Sequence, residues 1–370
     1  MKYANILDIS FFSLGINRQR PHDNPKIANA ICIFWLIAAV FYCTLSTMLL
    51  FHLNGDVDLL AKTMEGMTTF LQMFIKSTPL LLHRKRFLKL YEQHKTFWNP
   101  DLFPETLQKK LEVTYKTSYY VSHIFRASVY FTMSLFYIQP IFKEGELLIT
   151  CYVPDYTHAY AVILAFQYVY AFAFASFVCG FDILYVAYAA HLVVQLQIIN
   201  YVLEHLDIND PKYLSKFRKC MEHHKFILSF TAEMLSILSI PLLGQYILSI
   251  YLSCMELYLF ADSLGSPERF ILSVFYVLCL YIQFALYCFP ATEYTAEAER
   301  LATAIYSSSW YNGPVSLQKN VGFVIQRAQK EFKFMAAGLA EINCEAFVVV
   351  FKTSLSFYTL MRQMKENVDG

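Results

Sequence analysis

Apolar residues in this chain gather into runs of about 20, the length an α-helix needs to cross the hydrocarbon of a bilayer. Seven runs stand out: Ile27 to Phe51, Leu59 to Leu82, Tyr119 to Phe142, Tyr160 to Val194, Ala232 to Ala261, Phe270 to Phe289 and Phe347 to Met364. The pattern predicts an all-α membrane protein with seven transmembrane helices, since a helix satisfies its own backbone in lipid. The fourth run is too long for one perpendicular crossing and is expected to tilt or to project beyond the membrane. The seventh reads FVVVFKTSLSFYTLMRQM and carries Lys352, Ser354, Ser356, Thr359, Arg362 and Gln363. So many polar groups require part of its surface to face water, protein or ions.

Charge between the runs fixes an orientation. The loops after spans two, four and six hold Arg84 through Lys116, Lys212 through Lys225 and Arg300 through Lys333, and the N-terminal tail adds Lys2, Arg18, Arg20 and Lys26. The other loops offer Lys143 and Arg269 against Asp56, Asp58, Glu144, Glu146, Asp155, Asp262 and Glu268. The positive-inside rule then places the N-terminus in the cytoplasm, and seven crossings leave the C-terminus extracellular. The basic loops also carry apolar residues at helical spacing, in Phe87 to Phe97, Pro211 to Ser229, Thr292 to Ile305 and Phe323 to Ile342. These segments predict amphipathic cytoplasmic extensions of spans two, four and six, with the last leading into span seven. Together they form either a cytoplasmic anchor where subunits touch or helices lying on the membrane.

Composition agrees: hydrophobic residues are 56% and charged residues 16%, against about a quarter charged in soluble domains. A net charge of +1 with no basic cluster among aromatics does not point to nucleic acid. A G-protein-coupled receptor has the opposite orientation, and no Asp-Arg-Tyr or Asn-Pro-x-x-Tyr occurs at the expected spans. A transporter is less readily set aside, but no internal repeat or pair of Gly/Pro-broken helices appears. No cleavable signal peptide and no Asn-x-Ser/Thr acceptor is expected. Cysteines read as small buried hydrophobes; Cys151 in an outer loop can reach Cys254 near the outer end of span five, but no disulfide framework is implied. Glu222-His223-His224 beside Cys220 looks metal-like, yet adjacent histidines on a helix point apart. The cluster reads as an exposed cytoplasmic helix. No phosphate loop or nucleophile elbow is present, so no catalytic residue, metal or cofactor is expected. Within the spans, Lys62 and Glu65 share a helical face and can pair, while Arg126, Asp182, Glu233 and Glu256 need partners.

In its C-terminal third the chain resembles the insect odorant receptor family. The matching stretches are Ala304-Ile305-Tyr306-Ser307-Ser308-Ser309-Trp310-Tyr311, Ile325-Gln326-Arg327-Ala328-Gln329, Ala337-Gly338 and Lys352-Thr353-Ser354-Leu355-Ser356-Phe357-Tyr358-Thr359-Leu360, with Tyr287-Cys288 closing span six. A gustatory-receptor signature is echoed by Ser356-Phe357 and Gln363-Met364, but Trp310-Tyr311 and the Lys-Thr-Ser run favour the odorant branch. The resemblance implies a ligand-gated nonselective cation channel in the plasma membrane of olfactory sensory dendrites. It also implies a heterotetramer with the family's co-receptor subunit, the short loop after span four marking this chain as a tuning subunit. Residues 1–291 then form the odorant-binding helices, 292–346 the anchor segment and 347–370 the pore-lining helix.

Matching the family's pore motif implies a constriction at Leu360, Gln363 and Met364, with Phe357 on the same helical face as Leu360 and Met364. Arg362 and Lys365 beside that gate favour a pore shared with other subunits. The pocket is expected in the outer half of the bundle at Met67, Phe70, Tyr130, Ser134, Tyr137, Tyr168, Phe172, Phe275 and Tyr276, with Met64 and Met133 adapting its wall. Aromatics at 17% of the chain point to a small aromatic or heteroaromatic volatile. A gustatory-type homomeric channel and a transporter of a small apolar solute are the alternatives.

Overall fold

The computed structural model describes Leu7 and residues 25–52, 57–142, 145–154, 158–262, 267–330 and 332–369. In order, its helices are α1 (Pro25–Leu50), α2 (Val57–Leu82), α3 (Arg84–His94), α4 (Glu105–Phe142), α5 (Ala159–Glu204), α6 (Tyr213–Asp262), α7 (Pro267–Tyr306), α8 (Val315–Ala328) and α9 (Cys344–Asp369). Two short 3-10 turns, Pro100–Leu102 and Trp310–Asn312, precede α4 and α8, and a two-residue hairpin, β1 (Met335–Ala336) with β2 (Ala340–Glu341), precedes α9.

The seven long helices α1, α2, α4, α5, α6, α7 and α9 coincide with the seven apolar runs. Among the described residues, α1, α5, α6 and α7 are long and apolar enough to cross a membrane by composition alone. The polar residues that dilute α2 and α9 face the protein interior or lie on an uncovered stripe, as described below. α5 is the hub of the bundle. Every residue from Phe177 to Asn200 is buried, so neighbouring elements enclose this helix on all sides, around its apolar residues and around Asp182, His191, Gln195, Gln197 and Asn200 alike. Its 46 residues span about 69 Å, roughly twice a bilayer's hydrocarbon thickness, so one half must leave the membrane.

Two of the expected extensions differ in detail, and span three carries one that its apolar run did not suggest. Pro211 to Ser229 belongs to the start of α6 and so extends span five, because α5 ends at Glu204 and a turn over 205–212 reverses the chain. Span three begins earlier than its apolar run, at Glu105, since charged residues on its outer face hide the helix from a hydropathy reading. The stretch from Phe323 to Ile342 is helical only to Ala328. Beyond it Ala337 and Gly338 take left-handed φ values of 49° and 69°, which closes the hairpin pairing Met335 with Glu341 and Ala336 with Ala340.

The α3 and α8 end is cross-linked by buried polar contacts. Gln195 of α5 accepts from the Trp98 amide at 2.9 Å and donates to the Trp98 carbonyl at 3.1 Å. The same Gln195 oxygen lies 2.8 Å from Nε2 of His223 on α6, whose ring stacks on Trp98 at 4.1 Å. His223 is therefore buried, not on an exposed face as the sequence reading had it: the amphipathic pattern turned this residue inward. Burial pushes the imidazoles of His223 and His224 down to about 4. Cys151 and Cys254 form no bridge; both are free thiols, and the sulfur of Cys151 accepts from Gln167 at 3.6 Å.

Candidate functional site

At the end of the bundle opposite α3 and α8, helices α2, α4, α5, α6 and α7 splay around a cavity of about 410 Å³ closed by the 145–153 segment. That volume suits a small organic ligand. The closing segment is tied down: Gln167 of α5 accepts from the Ile149 amide at 3.2 Å and donates to its carbonyl at 2.8 Å. The Tyr160 hydroxyl donates to the Glu146 carbonyl at 2.8 Å, and Arg269 bridges Glu146 at 3.7 Å. Only glycine fits at position 66, where a Cβ would stand 2.7 Å from Cγ2 of Ile149.

The cavity wall mixes rings with ionisable groups. Met133, Phe136 and Tyr137 come from α4, Tyr170 and Phe174 from α5, and Tyr276 from α7. Lys62, Glu65 and Thr69 come from α2, Glu256 from α6 and Arg269 from α7. The Glu65 and Glu256 carboxyls are in hydrogen-bond contact with each other, and the Tyr276 hydroxyl contacts Thr69 beside them.

Of the sequence-derived pocket residues, Tyr137 and Tyr276 line this cavity. Phe70 lies one layer behind, against Tyr170 at 5.4 Å and stacked on Tyr42 at 5.2 Å. Tyr168 exchanges hydroxyl-to-carbonyl bonds with Tyr137, at 2.9 and 3.1 Å, and so fixes that wall residue. Tyr130 shares a 2.9 Å bond with Ser176, and Phe275 packs edge-on against Phe131 at 4.7 Å. Met67 is half-buried on α2, while Phe172 and Ser134 are exposed, and the Ser134 hydroxyl donates to the Phe131 carbonyl at 2.6 Å. Met133 lines the wall; Met64 does not. Cavity contact depends on how far each helix splays, which helical periodicity alone does not carry.

Beneath the cavity, toward the α3 and α8 end, lies a polar network that sequence reasoning found only in part. Lys76 of α2 pairs with Asp182 of α5 at 2.5 Å, with side chains 1% and 0% exposed. Asp182 also accepts from Gln283 at 2.7 Å and from the Tyr287 hydroxyl, both on α7. Gln72 then joins Gln283 to Gln245 of α6, each at 3.2 Å. Lys76, Gln72, Gln245 and Gln283 were legible in principle, since Gln72 and Lys76 stand one turn apart within an apolar run and Asp182 needed a counter-charge. The other flagged charges also find partners: Glu233 binds Arg86 at 2.7 Å, and Arg126 lies 2.9 Å from His123.

This network abuts the last helix. Gln283 faces Asp182, while the next residue, Phe284, turns to the adjoining face and stacks on Phe347 of α9 at 6.2 Å. Gln245 and Tyr246 repeat the arrangement on α6, Tyr246 meeting Phe284 at 5.9 Å. Tyr281 adds contacts to Phe347 and Phe351 at 6.2 and 5.4 Å. Ring contacts thus join α6 and α7 to α9.

α9 is covered on one face only. Val350 and Ser354 are fully buried, and the Ser354 hydroxyl is satisfied by the Val350 carbonyl at 2.8 Å. Lys352, Ser356, Thr359 and Gln363 are all exposed. At about 100° per residue these four form a single stripe roughly opposite Ser354. Leu360, 52% exposed, and half-buried Phe357 lie on a shoulder between stripe and covered face. The side chains of Met364, Arg362 and Lys365 lie outside the described ones.

A family model described as 7tm Odorant receptor matches residues 56–355. Odorant receptor 82a of Drosophila melanogaster is 23% identical over 195 residues, 52% of this chain and 50% of that one. Odorant receptor 42a of the same fly is 26% identical over 158 residues, 42% of this chain and 38% of that one. These matches span half or less of the relatives' length. In fold, the chain is similar to the insect olfactory receptor OR5 from Machilis hrabei, with a TM-score of 0.83 at 16% identity over 98% of this chain and 97% of that one. The same receptor in complex with eugenol matches with a TM-score of 0.84. All of these relatives are receptors rather than enzymes, and the chain belongs to the 7tm odorant receptor family.

Proposed function

We propose that this chain is the odorant-binding subunit of a ligand-gated nonselective cation channel, assembled as a heterotetramer with a co-receptor subunit in the membrane of olfactory sensory dendrites. The N-terminus is cytoplasmic and the C-terminus extracellular, so the cavity opens in the outer half of the bundle. The observation that carries the reading is the polar stripe of Lys352, Ser356, Thr359 and Gln363 on a membrane-length helix that its own subunit leaves uncovered. Lipid is a poor solvent for such a stripe, and a water-filled pore between subunits is a good one.

Within that frame, residues 1–291 hold the odorant, 292–346 form the anchor and 347–370 line the pore. A small volatile enters the cavity, contacts Tyr137 and Tyr276, and rests against a wall backed by Phe70 and held in place by Tyr168. Occupancy changes the packing of α6 and α7, and the ring contacts to Phe347 move α9. Leu360, Gln363 and Met364, with Phe357 beside them, form the gate, which closes by dewetting and opens as the helices rotate outward. The fold relative solved with eugenol supports a small organic ligand.

An odorant panel recorded in cells expressing the chain with and without the co-receptor tests this. Odorant-evoked cation current is expected only in the pair. Robust current from the chain alone favours a homomeric channel, and saturable uptake without current favours a transporter.

A further inference from the structure

We propose that the ligand this cavity selects carries a basic nitrogen, seated on the Glu65–Glu256 pair. The inference rests on the reading of the cavity as the odorant site and narrows its ligand class. The ionisable groups of the wall are unbalanced: Glu65, Glu146 and Glu256 face Lys62 and Arg269. Arg269 is engaged by Glu146 at the closing segment, and Lys62 interacts electrostatically with Glu65. Glu256, whose residue is 3% exposed, has the acidic Glu65 as its neighbour, so the two carboxyls share a proton when the cavity holds no cation.

Two carboxyls in hydrogen-bond contact require a proton between them or a cation beside them. An apolar ligand that fills the cavity displaces the water around this pair and offers the acids no hydrogen-bond partner, so it carries their desolvation cost. An amine of the same shape takes the proton the pair shares and, as an ammonium, donates N–H bonds to both carboxylates. The rings of Tyr137, Tyr170, Phe174 and Tyr276 then enclose its apolar body and offer π faces to the cation. The site so built favours a donor-bearing nitrogen over a shape-matched hydrocarbon.

The test uses the chain with its co-receptor at the cell surface and matched pairs: benzylamine against ethylbenzene, and cyclohexylamine against methylcyclohexane. The amine of each pair is expected to open the channel at a concentration about tenfold or more below its hydrocarbon. Glu256→Gln is expected to reduce that ratio to less than about threefold, with Glu65→Gln as the second variant should the first fail to reach the surface. Equal potency within each wild-type pair overturns the proposal, as does a ratio that survives substitution at the pair. Current evoked by other volatiles but by neither amine also overturns it and leaves the channel reading standing. Silence to every compound with the heteromer at the surface removes the channel reading, and this proposal with it.

Discussion

Replacing Asp182 with alanine removes the acceptor at the centre of the bundle. In the intact structure Lys76 lies 2.5 Å from that carboxylate and is 1% exposed, with Gln283 and Tyr287 donating to the same group. The variant leaves one buried cation and two buried donors without their acceptor. Breaking a buried ion pair from one side costs about 3–5 kcal/mol, which for a chain of this length lowers the melting temperature by roughly 4–7 °C. Lys76→Met added to Asp182→Ala removes the stranded cation, so the double variant should lose about 2–3 kcal/mol less than the sum of the single losses. Fluorescence-detected size exclusion of heated, detergent-solubilised protein measures all four members of the cycle. Additivity to within about 0.5 kcal/mol, or an unchanged melting temperature for Asp182→Ala, refutes the pair as the tie between α2, α5 and α7.

Two further outcomes follow from local geometry. Gly66→Val places methyl groups where a Cβ alone would meet Ile149 at 2.7 Å; the half-maximal odorant concentration should rise about tenfold or more, read from concentration–response curves. His223 and His224 have folded values near 4, below the ~6.5 of an unfolded histidine. The unfolded chain therefore binds more protons between those limits, so stability is fully present above about pH 6.5 and falls toward pH 4. After discounting for partial exposure, each histidine accounts for on the order of 2 kcal/mol; melts at pH 7 and 4.5 should differ less in a His223→Gln variant than in the wild type.

The membrane-embedded part of the fold was legible because lipid imposes an unambiguous rule: a span must be apolar and helical for about 20 residues. The runs that became α1, α5, α6 and α7 follow it closely, and those of α2 and α9 do so less strictly because polar residues interrupt them. Outside the bilayer that rule lapses, so the start of α4 at Glu105 and the assignment of residues 213–229 to α6 depended on packing against α5 instead. The hairpin before α9 rests on two left-handed residues, Ala337 and Gly338, within a stretch whose apolar spacing also suits a helix. The cavity was legible only as a region. Tyr137 and Tyr276 line the cavity, but Glu65 and Glu256 sit 191 positions apart and meet only because α2 and α6 cross. The polar residues of α9 were visible as a list; their sorting into buried Ser354 and an exposed stripe required the neighbouring helices.

Paired recordings of the heteromer carrying Tyr276→Ala or Leu360→Ser distinguish ligand binding and ion conduction in separate parts of one subunit from a single shared site. Tyr276→Ala should shift the half-maximal odorant concentration about tenfold or more with unitary conductance unchanged. Leu360→Ser should instead alter resting leak or conductance and move odorant sensitivity less than about threefold. Two variants with the same effect on sensitivity and on conductance would contradict that separation.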